Sequence, residues 1–139
     1  MSDINSHDIE THRRDLSGYK RGIRNKYGDE VWNTSYFMVL QTLKDHGTQS
    51  RREVANRVNA MRREQGKRGF IFGTISGYLS FLAGSDYVEA TRIRHKETDV
   101  GKEVWNITAS GVWALNHKDE LLKKTKEDQR RRSKERRST

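Results

Sequence analysis

The sequence predicts a mainly α chain with a small β-hairpin, an α+β domain running helix, helix, helix, hairpin, helix. Three observations carry that expectation. Apolar residues recur at three- and four-residue intervals over 36–43, 54–61 and 75–82, the spacing of a single helix face. Two runs, 87–94 and 103–107, alternate instead as half-buried strands do, with the polar stretch HKETDVGK between them. The length of 139 residues allows one domain with modest extensions.

Asn33 or Thr34 is placed to cap the first helix, which carries Tyr36, Phe37, Leu40 and Leu43 on one face and stops at Gly47. Ser50-Arg51-Arg52-Glu53 is a capping box, opening a second helix with a narrow Val54, Val58, Met61 stripe. Gly66 and Gly69 then loosen the chain. Thr74 is expected to cap the third helix, with Ile75, Tyr78, Leu79 and Leu82 inward and Gly84 as its end. In the second strand-like run Trp105 and Ile107 share a face. Thr108 is expected to cap the fourth helix, whose apolar positions include Val112, Leu115, Leu121 and Leu122.

Charge divides the chain. Residues 1–33 are net zero, 34–122 net +3 and 123–139 net +6, which together make the formal charge of +9. The last segment has no apolar side chain and reads as a mobile basic tail. An excess of this sign favours a polyanionic partner, since neutralising phosphates releases condensed counterions. An anionic membrane surface satisfies the charge argument equally. The absence of cysteine excludes disulfides, thiolate catalysis and Cys-ligated zinc. The opening MSDINSHDIETHRRD lacks the apolar stretch of a signal peptide, and no run approaches the length of a transmembrane helix. A cytoplasmic, nucleoid-associated protein is expected.

Two segments carry a resemblance. ISGYLSFLAGSDYVEA joins the end of the third helix to the first strand, and GKEVWNITASGVWAL holds an aromatic-x-apolar-Thr-x-x-Gly run entering a helix. Together they resemble the winged helix-turn-helix superfamily, closest to the MarR and PadR classes of prokaryotic regulators, over residues 34–115. One departure is the glycine-rich link EQGKRGFIFG at 64–73, unusually long between second and third helices. The resemblance implies a DNA-binding domain at 34–115, flanked by a partly helical, dimer-forming segment at 1–33 and a helix end with basic tail at 116–139. It also implies a transcriptional regulator whose third helix enters the major groove of double-stranded DNA.

With Ile75, Leu79 and Leu82 facing the core, the opposite face is expected to offer Ser76, Gly77 and Ser80, with Thr74 at its start. Small residues let a helix backbone approach the duplex, and their hydroxyls suit bases or phosphates; a merely solvated face is the alternative. Seven basic side chains against two acidic lie in 51–68. Arg51, Arg52, Arg57, Arg62 and Arg63 are assigned to the DNA backbone, and Lys67 and Arg68 to phosphate or a guanine edge. In the wing, Arg92, Arg94, His95, Lys96 and Lys102 suit a minor groove or its phosphates, while Glu97 and Asp99 argue against deep insertion of the tip. A homodimer is expected through Tyr19, Ile23 and Tyr27, spaced by four, and through Val112, Leu115, Leu121 and Leu122; packing within one chain is the competing use.

Enzyme readings fare poorly. His7 and His12 are five apart, one too many for a shared helix face, and no HExxH or GK[ST] phosphate loop occurs. No cofactor or metal is expected, and no residue identifies an effector pocket. A non-specific architectural DNA-binding protein and a winged-helix protein-interaction module are the rival functions.

Overall fold

The computed structural model describes residues 9–13, 21–95 and 101–137. Its elements are β1 (Ile9–Arg13), α1 (Thr34–His46), α2 (Arg51–Glu64), α3 (Phe72–Gly84), β2 (Val88–His95), β3 (Gly101–Ile107), α4 (Ala109–Asn116) and α5 (Lys118–Arg137). The chain is therefore mainly helical with an antiparallel hairpin, as its periodicities predict.

Helix α1 lies at the centre and packs against α2, α3, α4 and β3. That position explains why Tyr36, Phe37, Met38, Val39 and Leu40 are buried in succession rather than on one stripe. Asn33 caps it, accepting from the Tyr36 N–H at 2.9 Å. Leu40, Leu43, Val54, Val58, Ile75, Leu79, Leu82 and Val88 join Trp105 in a core closed to solvent. Trp32, from the segment before α1, stacks on Phe37 at 4.7 Å and meets Tyr87 edge-on at 4.8 Å.

The capping box at α2 forms as read: the Glu53 N–H donates to Ser50 Oγ, and the Ser50 N–H to Glu53 Oε1. Before it, Gln49 and Trp105 exchange backbone hydrogen bonds of 3.1 and 2.7 Å, tying the α1–α2 turn to β3. Val88 pairs with Ile107 and Arg94 with Gly101 across the hairpin. Thr108 caps α4, accepting from the Gly111 N–H at 3.1 Å. Gly111 is required by close approach, because a Cβ there would stand 2.2 Å from the Tyr87 carbonyl oxygen.

Four expectations are corrected. Thr74 does not cap α3. The helix starts earlier, at Phe72, with Ile71 as an N-cap that makes no side-chain bond. The Asn59 amide grips the Phe70 backbone from both sides, at 2.7 and 2.9 Å, and so ends the link sooner than its glycines suggest.

The described part of 1–33 is not helical. β1 pairs antiparallel with the free edge of β2, making a three-stranded sheet in the order β1–β2–β3. Residues 21–33 form turns closed by an Arg24–Glu30 bridge, so Ile23 and Tyr27 share no helix face. Ile23 is consumed by the core at 4% exposure, and its N–H donates to Ser85 Oγ. Tyr27 lies exposed under the Arg132 guanidinium, while Tyr19 lies outside the described residues.

The fourth helix is two. α4 stops at the His117 cap, whose Nδ1–H donates to the Trp113 carbonyl at 2.7 Å, and α5 begins one residue on. Leu121 is buried against the chain's own core, with Leu115 and Leu122 packed partly against it and Val112 half-buried.

The basic tail is an ordered helix, because polar contacts supply what apolar ones cannot. Thr125 is buried, accepts from the Trp32 N–H at 3.0 Å and donates to the Leu121 carbonyl at 2.9 Å. Buried Asp128 takes Lys124 and Arg131, and Asp29 takes Arg132 at 3.1 Å. Asp119 and Glu120 in the first turn, with Lys134, Arg136 and Arg137 in the last, suit the helix dipole. Among the described residues, no helix is long and apolar enough to cross a membrane.

Candidate nucleic-acid interface

The basic residues of α2 divide into two kinds. Arg51 turns inward. Its Nε meets Glu103 at 2.7 Å, its guanidinium lies 4.4 Å from the Trp105 ring, and its Nη1 donates to the Ser76 carbonyl at 2.8 Å. It also donates to the Ser76 and Ser80 hydroxyls. One side chain thus pins α2, α3 and β3 together. Assigning Arg51 to the DNA backbone is corrected on that ground: its donors are spent inside the fold.

The same geometry corrects Ser76 and Ser80. Ser80 is 4% exposed, and both hydroxyls point at Arg51 rather than away from the core. Helix α3 is wider in its burial than a three-residue stripe implies, so a residue one turn from Ser76 is already covered.

The remaining cations face outward to differing degrees. Arg52 is exposed and lies over the Phe72 ring at 4.3 Å. Half-buried Arg57 donates to His46 Nδ1 at 3.0 Å. Arg62 donates to the Arg68 carbonyl at 2.7 Å and stacks over Phe70 at 3.8 Å, which shapes the link. Arg63, Lys67 and Arg68 are exposed. On the hairpin Arg92 and Lys102 are exposed, with the Arg92 side chain lying along Gly101. Arg94 and His95 hold ladder positions opposite Glu10 and Ile9 of β1. Lys96, Glu97 and Asp99 lie outside the described residues.

Glu53 is the acidic neighbour of this surface. Hydrogen bonds from the Ser50 backbone and hydroxyl hold its carboxyl below the usual range, with Lys102 and Arg57 adding to the effect. Elsewhere, burial and a hydrogen bond to Glu30 push the Tyr87 phenol well above its ordinary value.

What α3 presents outward is glycine and aromatic. Gly73 has open space where a Cβ would stand, and at Gly77 only the Phe81 ring comes within 4.0 Å. Gly73, Gly77 and Phe81 follow at four-residue steps, so they line one strip of the helix. Ile71 is 77% exposed, Phe72 36% and Phe81 40%. Thr74 is half-buried beside them. The sequence reading missed these apolar residues, although FGTISGYLSFLAG holds no charged residue and α3 therefore lacks the charged face of a solvent-facing helix.

Away from this surface, a cleft of about 300 Å³ opens between residues 24–32 and α4–α5, with Trp32, Trp113, Leu121 and Lys124 among its walls. No family model, curated protein or solved structure matches the chain.

Proposed function

We propose that the chain is a winged helix-turn-helix protein that binds specific double-stranded DNA sequences as a transcriptional regulator, with α3 in the major groove. The observation that carries this reading is the outward strip of α3. Its glycine floor allows backbone-close approach to a duplex, and exposed Arg52, Arg63, Lys67 and Arg68 stand on α2 and the link beside it. The order α1–α2–α3–β2–β3 and the Gln49–Trp105 tie support the same fold. Lys102 and Arg92 make the hairpin a second phosphate contact. Such regulators pair two heads on two half-sites, and a homodimer through α4, where Trp113 is 49% exposed, completes the reading. The site of action is the nucleoid in the cytoplasm.

Non-specific coating by a loose basic tail loses ground, because Lys124, Arg131 and Arg132 are paired with acidic groups of their own chain. The exposed Ile71, Phe72 and Phe81 favour one rival, a protein-docking module.

Selection of duplexes from a random library by the full chain tests the proposal. Wild type is expected to enrich one sequence class, and Gly77→Glu, whose Cβ meets only the Phe81 ring edge at 4.0 Å in the fold, is expected to lose it by placing a carboxylate against the duplex. Equal enrichment by both proteins overturns the assignment of α3 as reader. Binding to no duplex at any salt concentration favours the protein-docking module.

A further inference from the structure

The two contacts proposed for DNA lie on different elements, α3 in the groove and the cations of the hairpin on the flanking backbone. One half-buried side chain joins them. The Arg51 Nε meets Glu103 of β3 at 2.7 Å, while Nη1 of the same guanidinium donates to the Ser76 carbonyl of α3 at 2.8 Å. The Ser76 and Ser80 hydroxyls accept from it as well. Trp105 lies 4.4 Å from this guanidinium, and its Nε1–H donates to the same Glu103 oxygen at 3.1 Å, so the acid is held too. Along β3, Trp105 and Val104 are buried, whereas Lys102 and Gly101 are exposed. Glu103 stands at that boundary and pairs across the ladder with exposed Arg92. The bridge therefore sits at the root of the arm that carries Arg92 and Lys102.

We infer that Arg51 is a positioning residue for sequence reading: it transmits to α3 the register that the hairpin's phosphate contacts set. The inference rests on α3 being the DNA-reading helix and adds how that helix is aimed. Phosphate contacts fix where a protein sits on a duplex but carry no sequence information. Base contacts discriminate only when the reading element is held to within about 0.5 Å of its productive place. An arginine suits the task because its planar fork spans β3 and α3 at once in a fixed geometry, which a lysine ammonium cannot do. Its bond to the Ser76 carbonyl matters most. That oxygen belongs to the α3 backbone, so the bridge holds the helix itself and not only a rotatable side chain. Loosening the bridge leaves the cations on phosphate and lets α3 tilt, so non-specific affinity persists while discrimination falls.

The test compares the affinity of the full chain for the duplex that wild type enriches with its affinity for a scrambled duplex of the same composition. The ratio of the two cancels the folded fraction, so a loss of stability alone does not move it. Arg51→Lys keeps the charge and loses the fork. It is expected to lower the ratio by about ten-fold, the discrimination carried by one base pair, with the salt dependence on the scrambled duplex unchanged. Glu103→Gln cuts the bridge from the other side and is expected to do the same, which keeps the test in force should Arg51→Lys fail to fold. The double variant is expected to lose no more than either single, since both remove one interaction. Asp29→Asn, which cuts the Arg132 ion pair of α5 instead, is expected to keep the wild-type ratio. A wild-type ratio in both single variants overturns the positioning role and leaves sequence-specific DNA binding standing. An equal fall in Asp29→Asn, or losses that add in the double variant, overturns it too, and failure of wild type to enrich any duplex overturns both readings.

Discussion

Gly77 separates what the fold needs from what the proposed reading needs. It sits mid-helix with ordinary helical backbone, and an added methyl group touches only the Phe81 ring edge at 4.0 Å. Glycine there costs the helix roughly 0.5–1 kcal/mol relative to alanine, through the backbone entropy lost on folding. Gly77→Ala is therefore expected to raise unfolding stability by about that amount in urea titrations while lowering duplex affinity several-fold. Affinity that holds or rises in the stabilised variant removes the glycine floor from the argument. Arg51 behaves oppositely. Truncation to alanine strips Glu103 and the buried Ser80 hydroxyl of a shared partner, so Arg51→Ala is expected to destabilise by about 2 kcal/mol. Because its guanidinium grips protein and not phosphate, the salt dependence of DNA binding by the folded variant is expected to stay as in wild type. A shallower slope returns Arg51 to the interface.

At the scale of elements, α5 depends on a distant acid. Asp29 holds Arg132 from more than a hundred residues away in sequence, and Arg131 stands 3.8 Å off. The hydrogen bond from Arg132 holds the Asp29 carboxyl below its ordinary value of 3.8. A carboxyl lowered in this way stabilises the folded state fully above its unfolded value and loses that contribution as pH falls through its folded one. Asp29→Asn is thus expected to melt below wild type near neutral pH, with the gap closing once the pH drops beneath the ordinary carboxylate range. A gap of constant size across that acid range means the ion pair does not hold α5. The same contacts explain why this helix was illegible. Apolar spacing reveals elements that bury apolar faces, so α1, α2, the hairpin and the start of α4 could be read within a residue or two. Helix α5 buries Thr125 and Asp128 instead, and its partners Asp29 and Trp32 lie at the far end of the chain. Only its lack of glycine and its dipole-matched charges hinted at order. The strand β1 carries too few residues for a pattern and is placed by its pairing with β2. Of the candidate site, the exposed arginines and Gly77 were visible in sequence, but the inward turn of Ser76 and Ser80 was not. That turn depends on a guanidinium from another helix.

Across the whole molecule, the decisive question is whether charge acts by amount or by position. The formal excess is +9, and most of it falls in the last 17 residues. If net charge alone drew the chain to DNA, removing three cations anywhere would weaken binding alike. The fold argues for position, because exposed Arg63 stands in the last turn of α2 and exposed Lys67 and Arg68 in the link that leads into α3, whereas exposed Lys123, Lys126 and Arg130 project from α5. Each phosphate contact contributes about 0.9 to the slope of log affinity against log salt concentration. Replacing Arg63, Lys67 and Arg68 together by alanine is expected to reduce that slope by up to roughly 2.7 and to weaken all duplexes, since phosphate contacts carry no sequence information. Replacing Lys123, Lys126 and Arg130 removes the same charge and is expected to leave the slope close to wild type. Measuring affinity from low to physiological salt for the two triple variants distinguishes the cases, because long-range attraction between unpaired charges is screened within a Debye length while contact-driven counterion release is not. Equal losses in both variants mean that the basic surface acts as a uniform cloud, and the case for α3 as the docking element falls with it.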